Sequence, residues 1–227
     1  MTGAVTLEHV SKFHGGTVAL GDVSLTVTAG RFLAVVGPPG SGKSALLHCA
    51  SALDLPTSGT VTVDGVDVTA LGEIERDEWR RANAGHVFPS CNLLPSLTVE
   101  QNLALPLRLA RLRPDRAWLR ELVGRAGLAD RLHLRPAELS GEQRQRAAVV
   151  RALAARPAVL FADEPVGGLG PGPAAGVLDL LAELAEDLGQ TVVMATRDAA
   201  ARAHDTLTMA GGKVVGGRAA HEARGWG

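Results

Sequence analysis

Gly37 to Ser44, G-P-P-G-S-G-K-S, constrains this chain more than any other segment. It fits G-x-x-x-x-G-K-[ST] and lies between an apolar run of strand character, F-L-A-V-V, and a helical pattern beginning near Lys43. The loop residues Gly37, Pro38, Pro39, Gly40, Ser41 and Gly42 are expected to curl around the β-phosphate of a nucleotide, because glycines let backbone N–H groups turn towards it. The helix N-terminus adds a favourable dipole, Lys43 is placed to reach the β- and γ-phosphates, and the Ser44 hydroxyl is a ligand for Mg²⁺.

Two further segments carry chemistry. In V-L-F-A-D-E an apolar strand ends in Asp163 and Glu164, which places carboxylates at the mouth of the sheet. Asp163 is the expected metal-shell residue and Glu164 the group that polarises an attacking water. In L-S-G-E-Q-R-Q-R, Ser140 and Gln143 form the spacing of a capping box at the start of a helix, whose free N–H groups make an anion site that nothing else in the chain requires.

The rest of the chain supplies the scaffold. The N-terminal part alternates short strand-like runs with turns and reads as an antiparallel sheet built around the phosphate loop, with Asp64-Gly65 as a two-residue hairpin. From about 98 to 154 the pattern is helical, with Trp118, Leu119, Leu122 and Val123 at helical spacing and Pro114 near a helix start. The order P-A-V-L-F-A-D-E, then a helix with Val177, Leu180, Leu181, Leu184 and Leu188 on one face and Gly189 as its stop, then T-V-V-M-A-T, predicts a parallel sheet buried on both faces. We expect one domain over 1–220, with a core from 1–90 and 155–215, a helical subdomain over about 91–154, and a flexible tail over 216–227.

A 46% hydrophobic content is ample for a buried core, and a net charge of -1 leaves no electrostatic footprint for a polyanion. Nucleic acid is therefore not an expected partner. No apolar run is long enough to span a membrane, and the first residues lack the pattern of a signal peptide, so a cytoplasmic chain is expected. Cys49 and Cys91 lack metal-type spacing and read as small buried hydrophobes.

The three motifs, in this order and separated by a helical region, resemble the ATP-binding subunit of an ABC transporter, over nearly the whole chain. N-L-L-P-S-L-T-V-E-Q-N-L and L-H-C-A-S-A-L-D-L-P-T-S-G are similar to the branch serving lipoprotein release, macrolide or peptide export and cell division. The resemblance implies an α/β fold, a P-loop NTPase of ABC type with a RecA-like parallel-sheet core, an antiparallel β subdomain and a helical subdomain. It implies ATP and Mg²⁺ as cofactors and ATP hydrolysis coupled to a transmembrane permease. It also implies a second ATP-binding subunit whose nucleotide Ser140, Gly141 and Gln143 would cap, and a place on the inner face of the cell membrane.

Several positions depart from that pattern. Arg197 stands where the family has a histidine that contacts the γ-phosphate; arginine is permanently charged and cannot accept a hydrogen bond from water. It reads either as a cation for the γ-phosphate or as a surface residue paired with Asp198 or another acid. Pro89 replaces a glutamine that senses Mg²⁺ and water, Gly170 replaces an aspartate, and Ala45 replaces a threonine near the α-phosphate. Glu142 replaces a glycine, where a carboxylate would repel a facing phosphate unless it points outward. The adenine-stacking position falls at His14, beside Phe13. These departures admit a second reading, a hydrolysis-impaired ATP-binding module paired with an active ATPase.

Overall fold

The computed structural model describes residues 3–197 and 202–218. Its first sheet is antiparallel, formed by β1 (Gly3–His14), β2 (Thr17–Thr28), β4 (Ser58–Val63) and β5 (Val66–Asp67) in the order β2-β1-β4-β5. Asp64 and Gly65 join β4 to β5 with φ of 48 and 79°, the left-handed pair that a tight hairpin of matching twist demands.

The run F-L-A-V-V, β3 (Phe32–Val36), does not belong to that sheet, contrary to the expectation of an antiparallel sheet built around the phosphate loop. It pairs in parallel with β8 (Thr191–Thr196) and β9 (Asp205–Ala210). β7 (Val159–Asp163) and β6 (Ala84–Val87) extend the parallel side, and β10 (Lys213–Arg218) closes the other edge in antiparallel pairing with β9. β10 takes in Gly216, Gly217 and Arg218, the first residues of the expected tail; residues 219–227 lie outside the described residues.

The reason β3 joins this sheet lies in its side chains. Phe32 and Ala34 pack into one hydrophobic core, Leu33 and Val35 into another. β7 and β8 divide in the same way, with Leu160, Ala162, Val192 and Met194 on one side and Phe161, Val193 and Ala195 on the other. A strand apolar at every position needs cover on both faces, which a half-solvated antiparallel sheet does not provide.

One face is covered by helices: α3 (Val99–Leu109), α4 (Arg116–Arg125), α5 (Gly141–Leu153) and α6 (Pro171–Leu188). The other carries α1 (Lys43–Ala50) and the antiparallel sheet. α6 buries Val177, Leu180, Leu181 and Leu184, half-buries Leu188, and ends on Gly189 at φ 66°, where glycine has no Cβ to clash. α4 starts just after Pro114, capped by Asp115. α2 (Glu73–Asn83) is a helix that the sequence pattern did not announce.

Cys49 is buried, and burial pushes its thiol up to about 12, so it stays protonated and inert. On β6, His86 lies between Phe88 and Phe161 with ring centroids 5.7 and 5.9 Å away. Burial first, then the charges of Arg80 and His48, push its pKa down to about 4. A depressed histidine stabilises the fold fully above its unfolded value near 6.5 and loses that contribution as pH falls towards 4. Urea unfolding across that window should show the native chain losing about 3 kcal/mol more than His86→Phe; parallel pH curves for the two proteins would reject the assignment.

Candidate functional site

The phosphate loop grows out of the carboxyl end of β3. The Gly37 N–H donates to the Thr196 carbonyl at 3.3 Å, carrying the pairing with β8 one residue beyond the strand. A side chain at Gly37 would strike the Met209 carbonyl and the Ser41 hydroxyl, and one at Gly42 would strike the Ala19 carbonyl of β2. Gly42 also sits at φ 99°, so both positions exclude a Cβ. The first bond of α1 runs from the Leu46 N–H to the Gly42 carbonyl, which leaves the N–H groups of Lys43, Ser44 and Ala45 without an intrahelical acceptor.

Lys43 is 6% exposed, and its Nζ donates to the Gly37 and Pro38 carbonyls at 2.7 and 3.0 Å. The loop thus holds its own lysine in place. Pro38, Pro39 and Gly40 are exposed, as is Ser44, while Ala45 is half-buried and brings only a methyl group. The buried Ser41 hydroxyl has no hydrogen-bond partner among the described residues.

Two carboxylates stand at the carboxyl end of β7. Asp163 ends the strand opposite Ala195, and its Oδ1 is buried without a hydrogen-bond partner. An orphaned carboxylate oxygen beside a lysine-bearing loop suits a hard cation. No group of three or more His, Cys, Asp or Glu among the described residues could hold a metal alone.

Glu164 follows at φ 46°, an uncommon conformation for a residue with a side chain, and its N–H is tied to the Ala195 carbonyl at 2.9 Å. Its Oε1 lies 3.9 Å from Lys43 Nζ and 3.5 Å from Arg197 Nε. Of the two sequence readings of Arg197, the pairing with an acid is realised, and the acid is Glu164; Asp198 lies outside the described residues.

The capping box at α5 is complete: Gln143 N–H donates to Ser140 Oγ at 3.2 Å, and Ser140 N–H donates to Gln143 Oε1 at 2.9 Å. Gly141 lies against Leu169. No hydrogen bond or ion pair among the described residues joins Ser140–Gln143 to the phosphate loop of the same chain. Glu142 is turned along the helix onto Arg146, 2.8 Å away, and this pair fits only because Gly176 of α6 has no side chain. Arg146 also donates to the Gly176 carbonyl at 3.1 Å. The carboxylate feared as a repulsive charge is therefore neutralised by its own helix.

Pro89 is exposed and offers no hydrogen-bond donor, yet its loop is held firmly. Cys91 Sγ donates to Gln145 Oε1 at 2.6 Å, and Arg151 donates to the Asn92 and Cys91 carbonyls at 2.5 and 2.8 Å. Cys91 is thus more than a small hydrophobe, and burial pushes its thiol up, which suits a donor. The fully buried Asn102 receives the Leu94 N–H at 2.7 Å and donates to the Leu94, Leu97 and Thr98 carbonyls. Sequence reading missed Asn102, which ties together the backbone just before its own helix, and Gln145 and Arg151, whose partners lie far along the chain.

Gly170 caps α6 through extended backbone at φ -68°, followed by Pro171. His14 is exposed at the β1–β2 hairpin beside Phe13, which is 47% exposed, and the returning strand brings Ala19 against Gly42. The structure therefore brings together Gly37–Ala45, Asp163, Glu164 and Arg197. Among the described residues, no hydrogen bond or ion pair joins Ser140, Gly141 or Gln143 to that group.

Residues 20–167 match the family model described as ABC transporter. The chain is 41% identical over 225 residues to the lipoprotein-releasing system ATP-binding protein LolD of Bordetella avium, covering 96% of this chain and 98% of that one. It is 44% identical over 201 residues to the methionine import ATP-binding protein MetN of Sodalis glossinidius, covering 86% of this chain and 58% of that one. Among solved structures, the dimeric bacterial ABC transporter cassette MJ0796 superposes with a TM-score of 0.84 at 34% identity, covering 98% and 100%. A post-hydrolysis dimer of MJ0796 bound to ADP and Pi gives 0.83 at the same identity and coverage. The chain therefore belongs to the ABC transporter family as an ATP-binding subunit and ATP hydrolase.

Proposed function

We propose that the chain works as one half of an ATP-driven clamp on a membrane permease. The observation that supports this most directly is the convergence of buried Lys43 with half-buried Asp163 and Glu164 at the carboxyl ends of β3 and β7. Gly37–Ala45 hold the phosphates of ATP, Ser44 and Asp163 hold Mg²⁺, and His14 supplies a platform for adenine. When bound there, Mg²⁺ would supply neutralisation of phosphate charge. Glu164 orients and polarises the attacking water, and Lys43 steadies the charge that develops on the γ-phosphate.

Ser140, Gly141 and Gln143 cap the nucleotide of a second ATP-binding subunit. The lack, among the described residues, of a hydrogen bond or ion pair between them and the chain's own loop, and the helix N-terminus of α5, support this. No helix among the described residues is long and apolar enough to cross a membrane, so a place at the inner membrane face would come through the permease. The reading as a hydrolysis-impaired module is not favoured, because the chain belongs to transport ATPases and retains Lys43, Asp163 and Glu164.

Three measurements test this reading. Lys43→Ala should weaken ATP at least about tenfold in calorimetric titration, and unchanged affinity would remove the phosphate site. Steady-state phosphate release with Mg-ATP should fall about 10²-fold to 10⁴-fold in Glu164→Gln; equal turnover in the two proteins would deny Glu164 its role. Gly176→Ala should displace Glu142 and Arg146 and so weaken ATP-dependent dimer formation in ultracentrifugation, with ATP affinity of the monomer unchanged. A dimer of native strength would show that the orientation of α5 does not depend on that contact.

A further inference from the structure

We propose that Arg146 is a positioning residue for the capping of a second subunit's nucleotide: it holds the Glu142 carboxylate away from the N–H groups at the start of α5. This role rests on the reading of Ser140, Gly141 and Gln143 as that cap, and it names a residue outside the cap on which capping depends.

Glu142 is the acid in the first turn of α5. The Arg144 N–H makes the first bond of the helix, to the Ser140 carbonyl, and Ser140 Oγ takes the Gln143 N–H. The N–H groups of Gly141 and Glu142 are left without an acceptor inside the helix. A carboxylate in a first turn is drawn to such groups by the same dipole that draws a phosphate. Left to itself, Glu142 therefore opposes the cap twice over. It competes for the N–H groups, and it repels the incoming charge.

The carboxylate is turned the other way. Glu142 Oε1 accepts from Arg146 Nε at 2.9 Å and lies 2.8 Å from Nη2. A pair four residues apart on a helix is weak by itself, worth about twofold in an equilibrium. Here the arginine is braced from outside the pair, donating to the Gly176 carbonyl of α6 at 3.1 Å and to the Ala126 carbonyl just after α4 at 3.4 Å. Gly176 also provides the room, since a Cβ there would strike both Glu142 Oε1 and Arg146 Nη2. Three elements thus fix the guanidinium, and the guanidinium fixes Glu142. Arg144 cannot take over this task, because residues two apart do not share a helix face and its own guanidinium donates to the Leu139 carbonyl at 2.9 Å.

The consequence is a charge effect that another substitution can undo. Removing Arg146 frees a carboxylate at the helix start, and removing the charge of Glu142 as well makes that release harmless. A residue that merely braced α5 against α6 would show no such rescue. The test is sedimentation velocity of the full chain with Mg²⁺ and a non-hydrolysable β,γ-imido triphosphate, with calorimetric titration of ADP as the control. The proteins are the unmodified chain, Arg146→Ala, Glu142→Gln and the double variant.

Arg146→Ala should weaken the triphosphate-dependent dimer about tenfold or more, like charges being brought together across the interface. The defect should shrink as salt is raised, because the freed charge is screened. Glu142→Gln, alone or with Arg146→Ala, should stay within about threefold of the unmodified chain, the strength of a partly exposed ion pair. ADP affinity should change by less than about twofold in every variant, the pair making no contact with the chain's own loop. Arg146→Gln, which keeps a donor for Gly176 without the charge, takes the place of the alanine variant if that one does not fold, with the same expectation. A double variant as weak as Arg146→Ala would overturn the proposal, as would an Arg146→Ala dimer of unmodified strength. An unmodified chain that binds the triphosphate and stays monomeric would instead remove the reading of α5 as a cap, and with it the task assigned to Arg146.

Discussion

The burial of β3, β7 and β8 on both faces is the constraint from which the rest of this structure follows. Successive side chains enter different cores, so a slip of one residue would exchange every buried group between them. The register is therefore rigid, with Val36 opposite Thr196 and Asp163 opposite Ala195. Gly37, Glu164 and Arg197 are the residues immediately beyond those ends. The candidate site is the line where three fixed strands stop, and the bonds from Gly37 to Thr196 and from Glu164 to Ala195 continue the ladder just beyond it.

Charge at that line is balanced within the chain. Lys43 and Arg197 face Glu164, while Asp163 keeps one oxygen free of protein partners. In the reading we propose, a nucleotide with its cation enters a site whose groups already have the right sign and place. This preorganisation lowers the cost of assembling charge during hydrolysis. The departures from the family pattern are accommodated similarly. Glu142 is held by Arg146, and the loop at Pro89 is held through Gln145 and Arg151 of α5. The helix that presents Ser140 is thereby tied both to that loop and to α6.

Features that depend on neighbours in sequence were legible in advance. The phosphate loop, the Asp64-Gly65 hairpin, the Ser140–Gln143 box and the Gly189 stop each need only a few adjacent residues to form. α2 was not legible, because E-I-E-R-D-E-W-R-R-A-N has only Ile74 and Trp79 as large apolar groups and Ile74 remains 76% exposed. The strand through Gly216 and Gly217 was read as tail because glycine contributes no side chain to a strand pattern; pairing with Thr208 and Leu207 gives it its form.

The sequence by itself determined the chemistry available: a lysine on a glycine-rich loop, two acids after an apolar strand, and a capped helix with N–H groups to spare. These are local matters of backbone geometry and residue type. Only the tertiary structure decided that β3 lies between β8 and β9, that Arg197 meets Glu164, and that Glu142 rests against Gly176. Those outcomes depend on which faces need cover and which charges are left without water, and both are settled by groups distant in sequence that packing brings together.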